Sequence, residues 1–259
     1  MNSYAVSSFA AFRVSYRGDK LVLLRVLQRR LRNHRQSIIS SKMCTCLEVR
    51  EFDASAPENP HFLDTAMRKL PKVDQPPPLV RTYWVLQGRL LAGAYAGQPE
   101  ARAHRVRLER LFGAGVRTIV NLMEENETSN SGKPFVPYAD DFKSMAAAEN
   151  EHVNCLRFPI VDQNVTTQQH MAEIIDAIDE SLESDRPVYV HCFGGIGRTG
   201  TVVCCWLLWH EYAKIDNVFD VLKMLREADV ERAWRDAPEN ELQKNFVREW
   251  AKSCVAQRR

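Results

Sequence analysis

The sequence predicts an α/β fold: a mainly parallel, twisted central sheet with helices on both faces. Three observations carry this. From about Arg81 onward, short apolar runs alternate with amphipathic segments of helical period, and strands that alternate with helices pair in parallel. The strand-like runs, such as Val116–Leu122 (VRTIVNL), are β-branched and apolar, as strands covered on both faces require. The 259 residues are 45% hydrophobic and 26% charged, which suits a globular core and excludes a collagenous or wholly disordered chain.

The elements follow in order. Tyr83–Leu86 and Arg89–Ala92 read as two short strands around a Gln87-Gly88 turn. Pro99 to Phe112 reads as a helix, with proline in its first turn and Gly113 and Gly115 after its end. Val116–Leu122 is a strand, and the polar stretch 126–137 a loop. Tyr138–Ala148 reads as a helix and Val153–Phe158 as a strand stopped by Pro159. Met171, Ile174, Ile175, Ile178 and Leu182 place one apolar stripe on a helix over Thr166–Leu182. Pro187–Val190 is a short buried strand, and Thr199–Tyr212 an apolar, buried helix. Two helices, around Val218–Glu227 and Glu239–Lys252, close the chain.

Ahead of this domain, taken as residues 81–255, stand two segments of different character. Residues 1–47 hold nine Lys/Arg against one acid, a net of +8. Leu24, Leu27 and Leu31 share one helical face of this extension. It reads as a mitochondrial transit peptide, as a binder of anionic membrane surface, or as a dispensable extension with Met43 as the working start. Residues 48–80 read as a Pro-rich linker, extended or strapped to the domain by Phe62 and Leu63. The remaining chain carries 26 basic against 32 acidic residues, a net of −6. No nucleic-acid partner is expected of such a body.

No apolar run approaches the roughly 18 residues of a membrane-spanning helix, and no secretory signal is recognisable. Seven cysteines, an odd number, fit a reduced, cytoplasmic protein, or a mitochondrial one if residues 1–47 are a transit peptide. A monomer is expected.

The chemistry is concentrated in PVYVHCFGGIGRTG, Pro187 to Gly200. A buried strand feeds a glycine-rich loop, and the loop feeds a helix. Its N-terminal N–H groups and positive dipole end suit an anion. Gly195 to Gly200 fits G-x-G-x-x-G, but Asp220, at the distance of a ribose-binding acid, lies in a helical pattern. A Walker A lysine is missing.

A third reading uses Cys192 and Arg198, with five residues between them. A thiolate is the attacking form of cysteine, and helix N-termini and adjacent cations favour it. The backbone N–H groups of Phe193, Gly194, Gly195, Ile196 and Gly197 can curl around phosphate oxygens. The Arg198 guanidinium can bond two of them at once. Thr199 is placed to stabilise the sulfur as it leaves, and His191 to orient the loop.

These residues resemble the signature H-C-x5-R-[ST] of the cysteine-dependent protein-tyrosine and dual-specificity phosphatases. The likeness covers about Tyr83 to Trp250. It implies a dual-specificity-phosphatase-like fold, a phosphocysteine intermediate and no metal or other cofactor. It also implies a general acid on the loop before the long helix, where Asp162 stands in Pro159-Ile160-Val161-Asp162. Asp236 to Gln243 resembles a further family element, in which Gln243 would position water. Asp140 and Asp141 read as dipole-facing acids, and Glu124 and Glu125 as possible cleft residues. Cys155, Cys204 and Cys205 read as core. The uncharged loop positions favour a phosphoprotein or phosphopeptide substrate, at phosphotyrosine, phosphoserine or phosphothreonine. A phosphoinositide or RNA 5′-phosphate, phosphate binding without turnover, and sulfur transfer are the alternatives.

Overall fold

The computed structural model describes residues 68–257, so the expectations for residues 1–47, and for Phe62 and Leu63 of the linker, lie outside the described residues. Residues 68–80 are irregular. Leu79 is buried, Leu70 is partly buried against the core, and the amides of Asp74 and Gln75 donate to Gln87 Oε1 at 2.8 and 3.3 Å.

The five strands are β1 (Thr82–Leu86), β2 (Leu90–Gly93), β3 (Thr118–Asn121), β4 (Asn154–Arg157) and β5 (Val188–His191). They lie in the order β1-β2-β5-β3-β4. β1 and β2 form an antiparallel hairpin, and β2–β5, β5–β3 and β3–β4 pair in parallel. The helices are α1 (Ala101–Gly113), α2 (Ala139–Ala148), α3 (Gln168–Glu183), α4 (Gly197–Trp209), α5 (Val218–Leu225) with the 3-10 turn Arg226–Ala228, and α6 (Glu241–Gln257). This is the mainly parallel α/β sheet that the alternation of patterns predicts. No helix among the described residues is long and apolar enough to cross a membrane.

Successive strand residues serve opposite faces. Val188 and Val190 pack with α3, α4 and α6, and Tyr189 packs with Leu108 and Leu111 of α1 and Phe142 of α2. The central β5 is therefore buried on both sides and ends at the middle of the sheet's carboxyl edge, where α/β folds bind ligands. α4 is buried nearly throughout. It begins at Gly197, two residues before the expected Thr199, because the Gly200 amide already bonds the Ile196 carbonyl at 3.1 Å. β3 is shorter than expected at its start. The amides of Arg117 and Thr118 both reach the Pro187 carbonyl, 2.8 and 3.1 Å, and the ladder begins only after that shared bond.

Candidate active site

The loop between β5 and α4 is held by backbone bonds at both sides. The Leu122 amide donates to the His191 carbonyl at 2.9 Å, and the Tyr95 amide to the Phe193 carbonyl at 3.1 Å. Two glycines fix its path. Gly195 has φ +73°, and a Cβ there would stand 2.5 Å from the Gly93 backbone. Any side chain would meet both an unfavourable conformation and strand β2. A Cβ on Gly197 would stand 2.8 Å from the Gln243 amide nitrogen. The α4 N-terminus has no side-chain cap. Its first-turn N–H groups are thus not taken up by a capping side chain, as an anion site requires.

Cys192 is buried, and its Sγ accepts the Gly195 N–H at 3.3 Å. His191 is fully buried, and burial pushes its imidazole down to about 3. It is neutral at pH 7 with a defined tautomer. A carbonyl can only accept, so Nδ1–H donates to the Cys192 carbonyl at 3.1 Å, and Nε2 accepts the Tyr138 hydroxyl at 2.6 Å. Burial holds the Tyr138 phenol well above its usual value, keeping that proton in place. His191 thus braces the loop and has no access to a substrate. The Thr199 hydroxyl, also buried, donates to the Gly93 carbonyl at 3.4 Å. Reaching the Cys192 sulfur requires its rotation away from β2.

Arg198 gathers the rest of the site. Its Nη1 and Nη2 both bond the Glu127 carboxylate at 2.7 Å. Nη1 also donates to the Ile160 carbonyl at 3.0 Å, and Nη2 meets Asp162 Oδ1 at 2.8 Å. Burial works against the charge on this guanidinium. The Glu127 hydrogen bonds and the neighbouring Cys192 and Asp162 outweigh that and hold its pKa above the ordinary arginine value. The Glu127 side chain is 11% exposed, whereas Asp162 is 53% exposed.

The acid loop is pinned from the far end of the chain. Asn240 Nδ2 donates to the Gln163 carbonyl at 2.8 Å, and Gln243 Nε2 to the Asn164 carbonyl at 3.4 Å. Gln163 takes φ +57°, which turns the chain directly after Asp162. Gln243 is fully buried, with its Oε1 accepting the Glu239 amide at 2.9 Å.

Cys192, Arg198, Asp162 and Gln243, widely spaced in sequence, are thus brought to one place. Glu127, Asn240 and Tyr138 join them and were not singled out by the sequence. Glu124 and Glu125 are exposed, and it is Glu127 that turns onto the site. The sequence held no signal for it; the folded sheet sets β3 beside β5, so what leaves β3 passes the phosphate loop. Asp140 and Asp141 lie in the first turn of α2. Asp220 lies in the first turn of α5, away from any strand end. Cys204 and Cys205 are buried, and burial pushes both thiols up. Cys155, read as core, is only partly buried, because β4 is the sheet edge; burial still pushes its thiol up to about 11.

A family model described as "Polymorphic toxin system, DSP-PTPase phosphatase" matches residues 94–212. The chain is 36% identical over 97 residues to an uncharacterized protein of Methanocaldococcus jannaschii, a match covering 38% of this chain and 59% of that one. It is 27% identical over 150 residues to dual specificity protein phosphatase 9 of Homo sapiens, covering 57% of this chain and 33% of that one. The chain thus spans less than two thirds of the length of either relative. Among solved structures, the active form of Tk-PTP aligns with a TM-score of 0.50 and 22% identity, over 66% of this chain and 97% of that one. That likeness is one of fold.

Proposed function

We propose that the described domain, whose residues 94–212 match the DSP-PTPase phosphatase model, is a cysteine-dependent phosphatase that hydrolyses phosphate monoesters of phosphoproteins through a phosphocysteine intermediate. The carrying observation is the ion pair of Asp162 with Arg198, 2.8 Å. It sets a carboxylate beside the guanidinium that holds the phosphate, over the loop that holds the thiol.

The substrate phosphate enters the loop amides and displaces Asp162 from Arg198. Glu127 keeps its grip on the guanidinium, so the fork stays oriented while one edge turns to the phosphate. Asp162, so released, is the group that supplies the proton the leaving oxygen needs. The Cys192 thiolate attacks phosphorus. The S–P bond forms, the P–O bond breaks, and Asp162 gives its proton to the leaving oxygen. In the second half, water attacks phosphorus and Asp162 takes the water proton. The S–P bond breaks, returning the thiolate and releasing inorganic phosphate. Gln243 and Asn240 hold the acid loop over the phosphate loop. Gln243 Nε2 carries a second N–H beyond its bond to Asn164, and with it would hold the attacking water.

The test is hydrolysis of a simple aryl phosphate with chelator and reductant present. The wild-type chain is expected to turn over and Cys192→Ser to be inactive. Acid quench of the wild type is expected to leave phosphate on Cys192, detectable by mass spectrometry. An inactive wild type that still binds phosphopeptide would replace this reading with phosphate recognition without turnover.

A further inference from the structure

The phosphate loop can turn its N–H groups inward only if its carbonyls find partners on the outside. The His191 carbonyl accepts the Leu122 amide at 2.9 Å, and the Phe193 carbonyl accepts the Tyr95 amide at 3.1 Å. The Cys192 carbonyl accepts the neutral His191 ring at 3.1 Å. The next carbonyl, of Gly194, accepts Arg81 Nη2 at 3.3 Å. Of these successive bonds, only the last has a donor that carries a full charge.

The Gly194 carbonyl shares one planar peptide unit with the Gly195 N–H, which points the opposite way. That N–H is the one that donates to Cys192 Sγ, at 3.3 Å. The guanidinium, the peptide and the sulfur therefore form one chain of hydrogen bonds, running from Arg81 Nη2 through Gly194 and Gly195 to Cys192. A cation on the carbonyl draws electron density to the oxygen and leaves the N–H a stronger donor. A charged acceptor gains more from such a donor than a neutral one does. The arrangement thus favours the thiolate of Cys192 over its thiol.

Arg81 is held in this place at a cost. Its φ is +65°, a left-handed conformation uncommon for a residue with a Cβ. Its carbonyl accepts the Ala94 amide at 3.1 Å, which fixes it beside the end of β2. Its Nε–H is buried and finds no hydrogen-bond partner among the described residues. Burial and then Arg232 work against its charge, and Asp229 and Glu231 sustain it. Arg232 Nη1 itself stands 3.5 Å from where a Cβ on Gly194 would lie, so a second cation faces the same residue. Glycine would make this turn at lower cost, so what the position supplies is the charged side chain.

We propose that Arg81 is a positioning residue for the Cys192 thiolate, acting through the peptide between Gly194 and Gly195. The inference rests on the phosphatase reading only in taking Cys192 as the nucleophile. Arg198 also faces the sulfur and is left intact in the test. The measurement is the rate at which iodoacetamide alkylates Cys192 in the full chain, read by mass spectrometry of the peptide that carries it. Only the thiolate reacts, and no phosphate ester is needed. Arg81→Gln keeps a donor for the Gly194 carbonyl and removes the charge. It is expected to react about fivefold more slowly than the wild type at pH 6, and at the wild-type rate near pH 10, where the thiol is ionised in either chain. Arg81→Lys is expected to recover most of the loss at pH 6. Lys133→Met removes a cation that lines a cavity together with Arg81, and is expected to leave the rate unchanged at either pH. Should the urea midpoint show that Arg81→Gln fails to fold, Arg81→Asn carries the same expectation, since asparagine suits a left-handed backbone. A wild-type rate at pH 6 overturns the proposal. So does an equal slowing at both pH values, which a merely loosened loop would give. Arg81→Lys no faster than Arg81→Gln, or an equal loss in Lys133→Met, overturns it as well. If the wild type turns over no phosphate ester while Arg81→Gln still alkylates about fivefold more slowly at pH 6, the phosphatase reading falls and the role of Arg81 stands.

Discussion

The phosphate loop and the acid side of the site are held in different ways. Cys192, Gly195, Ile196, Gly197 and Arg198 are buried, and the loop is fixed by backbone bonds and by glycines pressed against β2 and Gln243. Asp162 is half exposed, and the loop carrying it is held by two side-chain bonds from Asn240 and Gln243. The first region is a pre-formed receptor for an anion and gains nothing by moving. The second has to release Arg198 when phosphate arrives and return a proton afterwards, so few and exposed contacts suit it. The contrast predicts that damage to the loop is all-or-none, whereas damage to the acid side is graded and kinetic.

The largest effect is expected from Gly195→Ala. The added Cβ must move the Gly93 backbone, and turnover of aryl phosphate should disappear along with about 1–3 kcal/mol of stability, read by denaturant unfolding. A variant of wild-type activity and stability would break the picture of a rigid receptor. Asp162→Asn should lower kcat on an alkyl phosphate about 10²–10⁴-fold. Unfolding should barely change, since an exposed ion pair contributes little. The same variant sharpens the comparison in a second way. With the carboxylate no longer competing for Arg198, inorganic phosphate should inhibit at lower concentration than in the wild type. Unchanged inhibition would mean that Asp162 does not occupy the phosphate's place on the guanidinium.

Glu127→Gln tests the boundary between the regions, because it belongs to a separate loop yet is buried with Arg198. It should cost about 3 kcal/mol of stability, as removal of one partner from a buried pair does, and lower kcat/KM as well. His191 gives a pH signature. Its folded value, about 3, lies below the unfolded value of about 6.5. The unfolded chain therefore takes up the proton first as pH falls. Stability from this residue is complete above about pH 7 and is lost below it, by about 2 kcal/mol at pH 5. Replacing His191 by Gln should flatten the dependence of the urea midpoint between pH 7 and 5 by about that amount. The smallest effect is expected from Asn240→Ala, which removes one hydrogen bond to the acid loop. A two- to tenfold fall in kcat, with KM on aryl phosphate unchanged, is the measurable outcome.

This division also decides what was legible in the sequence. From β5 to α4 the site is contiguous, so His191, Cys192, Arg198 and the intervening glycines announce both their structure and their chemistry. The alternation of apolar runs gave the sheet and its helices, with ends displaced by up to three residues, and by five at the end of α6, which runs to Gln257 rather than Lys252. The acid side is assembled from three distant segments. Asp162 was legible through the Pro159-Ile160-Val161-Asp162 pattern. Glu127 was not, because a glutamate in the polar stretch 126–137 looks solvated until β3 is known to lie against β5. Gln243 read as a candidate, but nothing in a helix's first turn tells that its amide is buried against Gly197 and crosses to Asn164. Tyr138 escaped for a similar reason. Its hydroxyl meets His191, 53 residues on, only because α2 packs on that face of the sheet.

Glu127 and Tyr138 bracket a stretch in which Thr128 bridges to Pro134. One end is fastened to the phosphate-binding arginine and the other to the histidine beneath the nucleophile. Near the second fastening, Phe135 packs against Tyr95 and Phe193, and the Val136 carbonyl accepts the Tyr95 hydroxyl at 2.7 Å. Residues 130–134 are exposed, so a lineage can lengthen, shorten or recharge them and so choose new partners, while the bond-breaking apparatus at either end stays as it was.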